Sequence, residues 1–156
     1  MDRALEESGA HRELGVEAYF LGLADGRKRV TGLETIDEHT YSPSSFSQPL
    51  QEEMLLQALA GGDMQAFVKQ LLEAWKRGDD EDLLALAIGA EASEEHLETV
   101  LYARNELMVE RLMELLAEQP DATCFVIVGA SHVVGPLSVV EMLESEGFTL
   151  RRGSAR

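Results

Sequence analysis

Cysteine occurs once, at Cys124, so no disulfide can form within the chain. Basic residues are scarce: 13 Lys and Arg stand against 29 Asp and Glu, a formal charge of −16. A surface this acidic repels polyanions and anionic bilayers, which excludes nucleic acid as a partner of the general surface. The short run Arg27, Lys28, Arg29 is the exception, and three adjacent bases are ordinarily a solvated turn. No apolar run reaches the length of a membrane span. The start, "MDRALEESGAH", lacks the cationic and apolar order of a signal peptide, so the chain is expected either in the cytosol or without the segment that exported it. The motifs HExxH, CxxC, GxSxG and a phosphate-binding glycine loop are all missing. Cys124 opens an apolar segment and is expected to be a buried, inert thiol.

What is present is a chain of 156 residues, 45% of them hydrophobic, enough for one domain over 1–156. Helical composition over 11–24 places Leu14, Ala18, Phe20 and Leu21 on a common face before Gly26. "RVTGLET" (29–35) has β-branched residues and too little length for a helix, and predicts a buried strand. Ser and Pro make 41–49 a loop. Helices are expected over 50–60, from Asp63 to Gly78, and from Asp79 or Asp80 to Ile88, followed by a long helix opened by Ser93 and ended before Pro120. Then come a strand over 123–128, a helix over 136–146 with Pro136 in its first position, and a strand in "FTLRR" (148–152). Strands separated by helices predict an α/β domain whose mainly parallel sheet has about three strands, with a helical insertion in the middle. Both edges of so small a sheet would be exposed, which suggests a partial domain and makes pairing of two copies across those edges an option.

Five polar positions stand out against this pattern. His132 lies in "GASHVVG", just beyond the carboxyl end of a predicted strand, where open α/β sheets bind ligands. An imidazole there can ligate a metal or move a proton, or simply be satisfied by loop carbonyls. Glu34 ends the other strand, in "GLET", at the border of the core; it is a partner-seeking carboxylate or the cap of the next turn. Arg104 interrupts the apolar stripe Leu97, Leu101, Met108, Leu112 and Leu115 on its buried side. It could pair with Glu34, hold a substrate carboxylate or phosphate, or snorkel from the stripe's edge. Asn105, beside it, orients a ligand or sits on the helix surface, and His39 could reach the Glu34 region. His11 and His96 read as solvated.

In order, "GVEAYFLGLA" (15–24), "GLETIDEH" (32–39), "AWKRGD" (74–79), "YARNELMVERLMELL" (102–116) and "VGASHVVGPLSVVEMLESEGF" (128–148) resemble the TraB/GumN family, which includes the PrgY and Tiki proteins. The resemblance implies a metal-dependent peptidase or hydrolase on an α/β fold like that of the erythromycin-esterase and ChaN group. It implies that Gly129 to His132, with Ser131 between them, is the second of two Gly-x-x-His motifs, and that Glu34 is the glutamate of the family's "LET" segment. His132 and Glu34 would then hold a divalent ion of the Mn, Co or Zn class, Glu34 could act as base, and Arg104 with Asn105 would match the family's "RN". The substrate would be a peptide or a small molecule. Two departures accompany the likeness. No first Gly-x-x-His is present, so the chain matches the C-terminal half of the domain, and His39 stands where the family commonly has glutamine. Relatives are often exported or membrane-associated. Beside the hydrolase stands a second expectation, a non-catalytic binding or regulatory module or an inactive remnant.

Overall fold

The computed structural model describes residues 6, 7, 9, 11–36, 46–60, 62–89 and 92–153. The chain divides into two compact units, Met1–Ala90 and Glu91–Arg156. In the first, a 3-10 turn at Arg12–Leu14 leads into α1 (Val16–Ala24), followed by α2 (Gln48–Ala60), α3 (Met64–Arg77) and α4 (Asp80–Ile88). The second begins with α5 (Glu94–Leu97), passes through a π-helical stretch at Glu98–Tyr102, and continues as α6 (Ala103–Glu118). A 3-10 turn at Ala130–His132 and α7 (Val139–Ser145) complete it.

Helix boundaries follow local hydrogen-bond chemistry. The Asp63 carboxylate accepts from Ala66 N at 3.0 Å, that of Asp79 from Asp82 N at 3.2 Å, and the Ser93 hydroxyl from His96 N at 3.2 Å. Each satisfies an amide that the first helical turn leaves without a carbonyl. Gly78 closes α3 in the left-handed region, at φ 66°, where a Cβ would be strained. Arg77 reaches forward to Asp82 at 3.0 Å, tying the end of α3 to the start of α4. These two helices pack on one another, and Val68, Ala74 and Leu83 are buried. The apolar set of α3 is only partly covered: Phe67, Leu71 and Leu72 are half-buried, and Met64 and Trp75 are exposed. In α1 no residue is buried; Leu14, Ala18 and Leu21, expected to face a core, are exposed and Phe20 is half-buried.

The expected α/β fold is overturned: every regular element among the described residues is helical, and there is no strand and no sheet. The erythromycin-esterase-like architecture implied by the family resemblance falls with it, as do the sheet edges across which two copies were expected to pair. β-branched composition reports a fit to a half-buried pleated surface, not the presence of a second strand beside it. Residues 122–129 form no regular element, and Phe125 is 69% and Val126 42% exposed. In 29–35 the chain bends at Leu33 and Glu34, and a Cβ on Gly32 would lie 3.0 Å from the Glu34 carbonyl oxygen. Cys124, expected in a buried strand, is exposed for the same reason.

In the second unit α6 and α7 pack together, and Leu101, Met108, Val109, Leu112 and Val139 are buried. α7 starts three residues later than expected. Ser138, not Pro136, sets its start: the Ser138 hydroxyl accepts from Glu141 N at 3.3 Å, and the Glu141 carboxylate accepts from Leu137 N at 3.0 Å. This is a capping-box arrangement with its return bond one residue earlier than usual. No helix among the described residues is long and apolar enough to cross a membrane.

An exposed thiol is the consequence of the missing ladder. Cys124 is expected to react with an aromatic disulfide reagent in the native protein as completely as in denaturant; a thiol protected until unfolding would indicate that 122–129 is covered by a sheet.

Candidate functional site

The best-defined polar site lies in the second unit, just beyond a π-helical stretch. In a regular helix, Leu97, Leu101, Arg104 and Met108 would share a face. Between Glu98 and Tyr102 the helix widens, so that Ala103 N donates to Glu98 O, five residues back. One extra residue in a turn swings the remainder of the helix about its axis. From Leu101 onward the buried face runs Asn105, Met108, Val109 and Leu112, the i, i+4, i+7, i+8, i+11 spacing of a regular helix. Asn105 takes the position expected for Arg104. Its side chain is 0% exposed. Arg104 is half-buried, and its Nη1 donates to the Val100 carbonyl at 3.4 Å, beside the widened turn.

Buried carboxamides need partners, because an unmet donor or acceptor costs about 1–3 kcal/mol. Asn105 has one at each end. Its Nδ2 donates to the Leu137 carbonyl at 2.7 Å, and its Oδ1 lies 2.6 Å from His132 Nδ1. His132 is 6% exposed. Its ring is backed by the turn that carries it: His132 N donates to Gly129 O at 3.0 Å, and a Cβ on Gly129 would approach His132 Cδ2 to 3.4 Å. That is ordinary van der Waals contact, so the ring packs directly against the turn. Ser131 is half-buried in the same 3-10 turn.

Three of the sequence-derived site residues, His132, Asn105 and Gly129, are thus joined in one cluster. Glu34 is half-buried in the first unit, at the bend after Gly32. His39 lies outside the described residues. Missed entirely was Leu137, whose carbonyl receives Asn105 from a backbone at φ 52°, rare for a residue with a branched side chain. Its sequence signal was the Ser138-x-x-Glu141 spacing, which places Leu137 just before a cap. The groove of about 670 Å³ between α3 and α4, lined by Phe67, Gln70, Glu73, Arg77 and Leu86 among others, contains none of the expected site residues.

The TraB/PrgY/gumN family profile matches residues 1–152. The chain belongs to the TraB/PrgY/gumN family. Over 56 residues it is 41% identical to "Metalloprotease TIKI1" of Danio rerio, a match spanning 36% of this chain and 11% of that protein. It is 38% identical over 53 residues to "Metalloprotease TIKI homolog" of Amphimedon queenslandica, covering 34% of this chain and 10% of the relative. "Metalloprotease TIKI2" of Danio rerio is 39% identical over 49 residues, 31% of this chain and 10% of that protein. The matched part is therefore about a tenth of the length of these curated relatives. No solved structure matches.

His132 has the surroundings of a metal ligand in one respect: its second ring nitrogen is held by a buried hydrogen bond, as ligating imidazoles usually are. Among the described residues, however, no group of three or more His, Cys, Asp or Glu side chains comes together as a metal site. One imidazole fits the role; a full donor set does not follow from it.

Removing the carboxamide strands its partners. Asn105→Leu is expected to destabilise the protein by about 2–4 kcal/mol, because the Leu137 carbonyl and the His132 ring both lose a buried partner. Chemical denaturation measures this, and a loss below about 0.5 kcal/mol would show that the cluster is not buried and bonded as described.

Proposed function

We propose that this chain carries the His132-bearing portion of a metal-dependent peptidase or hydrolase centre. What carries the reading is the 2.6 Å bond that holds the buried His132 ring, in a family that includes metalloproteases. By the family likeness of the "LET" segment, Glu34 would supply a carboxylate, as a ligand or as the base that takes a proton from the attacking water. A divalent ion of the Mn, Co or Zn class, when bound, would polarise the scissile carbonyl and acidify a coordinated water. His132 would hold such an ion through Nε2. Arg104 supplies positive charge beside the site, and Ser131 and Gly129 shape the turn around the ring. With two donors the ion would be weakly held, so further ligands come from outside this pair. The substrate class is a peptide, with a small-molecule ester or amide as the alternative.

A second reading, a non-catalytic binding module, is favoured by one observation. Leu55, Leu56 and Leu59 of α2 and Tyr19, Leu21 and Leu23 of α1 are all exposed.

Metal-dependent stability separates the two. A divalent ion at about a hundred times its Kd is expected to stabilise the folded chain by about 2.7 kcal/mol, which raises Tm by several degrees. His132→Ala should abolish the rise and Glu34→Ala should reduce it. An unchanged Tm in the parent protein, or an equal rise in His132→Ala, would remove the metal reading.

A further inference from the structure

The hydrogen bonds around Asn105 determine more than the position of the ring. A backbone carbonyl can only accept, so the atom 2.7 Å from Leu137 O must be the NH2 of the carboxamide. The opposite end, 2.6 Å from His132 Nδ1, is then the oxygen, which can only accept as well. The proton between them must therefore sit on Nδ1. Rotating the carboxamide by half a turn would set oxygen against the Leu137 carbonyl and NH2 against the ring. At 0% exposure no solvent water is available to compensate for that mismatch.

The acceptor that fixes this orientation is itself clamped. Leu137 stands at φ 52°, a left-handed conformation that L side chains rarely adopt. It is held there from both sides: its N–H donates to Glu141 Oε2 at 3.0 Å, and its carbonyl accepts from Asn105. Ser138, 2% exposed, anchors the same corner by capping α7. Strain maintained by surrounding bonds is found where geometry serves a purpose.

We infer that Asn105 is a positioning residue which, oriented by the strained Leu137 carbonyl, holds His132 as its Nδ1–H tautomer. In the neutral ring the Nε2 lone pair is then the one that accepts a proton or binds an ion. A histidine side chain in water prefers the other tautomer, so the protein reverses the intrinsic choice. The tautomer rests on these hydrogen bonds alone; only its use for ligation through Nε2 rests on the metal reading.

Nitrogen NMR tests this directly. The full chain, labelled with 15N-histidine and kept in chelator, is recorded in a long-range proton–nitrogen correlation at a pH where the rings are neutral. His132 should show a protonated-type Nδ1 and an unprotonated-type Nε2; the reverse pattern overturns the inference, whatever any variant does. In folded Asn105→Ala the His132 signals should move toward the Nε2–H pattern, and an unchanged pattern would overturn the positioning role. Zinc added afterwards addresses the other question. The Nδ1–H pattern with no zinc response keeps this inference and removes the metal reading. A zinc response from a ring that starts as Nε2–H does the opposite.

Discussion

One buried carboxamide organises the second unit. Asn105 reaches from α6 to the turn that carries His132 and to the corner before α7, 27 and 32 residues further along the chain. Burial makes these bonds obligatory, because in a low-dielectric interior an unmet polar group is costlier than the bond is worth in water. The left-handed Leu137 and the Ser138 cap support this contact: the first aims a carbonyl at Asn105, and the second holds the corner in place.

Much of the helical architecture was legible, because capping is local chemistry. Asp63, Asp79 and Ser93 bond amides three residues ahead, and Gly78 takes the left-handed end of its helix. The strands were not legible. Val30, Phe125 and Val126 carry the residue types of a sheet, but a sheet also needs partners distant in sequence, and periodicity says nothing about them. Spacing alone does not separate Arg104 from Asn105: one lies three residues after Leu101 and four before Met108, the other four after and three before, and either position fits the stripe. Pro136 reads as a helix start because proline's fixed φ is visible in sequence, while the cap at Ser138 and the bond from Leu137 N to the Glu141 carboxylate depend on side-chain geometry that is not.

Of the candidate site, His132 and Gly129 were legible as a glycine turn carrying an imidazole, while Glu34 and Arg104 stood out as charges at the border of apolar segments, a reading the family resemblance then supported. The role of Asn105 was not, since an asparagine beside an arginine on a helix gives no hint of which one points inward. The functional reading is correspondingly uneven. The imidazole is well placed, buried and supported, whereas the described residues do not assemble the remaining donors of a metal centre.

The decisive quantity is the coupling between Asn105 and His132. In a double-mutant cycle of Asn105→Ala and His132→Ala, measured by equilibrium denaturation, the two substitutions should be non-additive by at least about 1 kcal/mol. Additivity within about 0.3 kcal/mol would mean that the two side chains share no buried bond, and Asn105 would not be the contact that organises this unit.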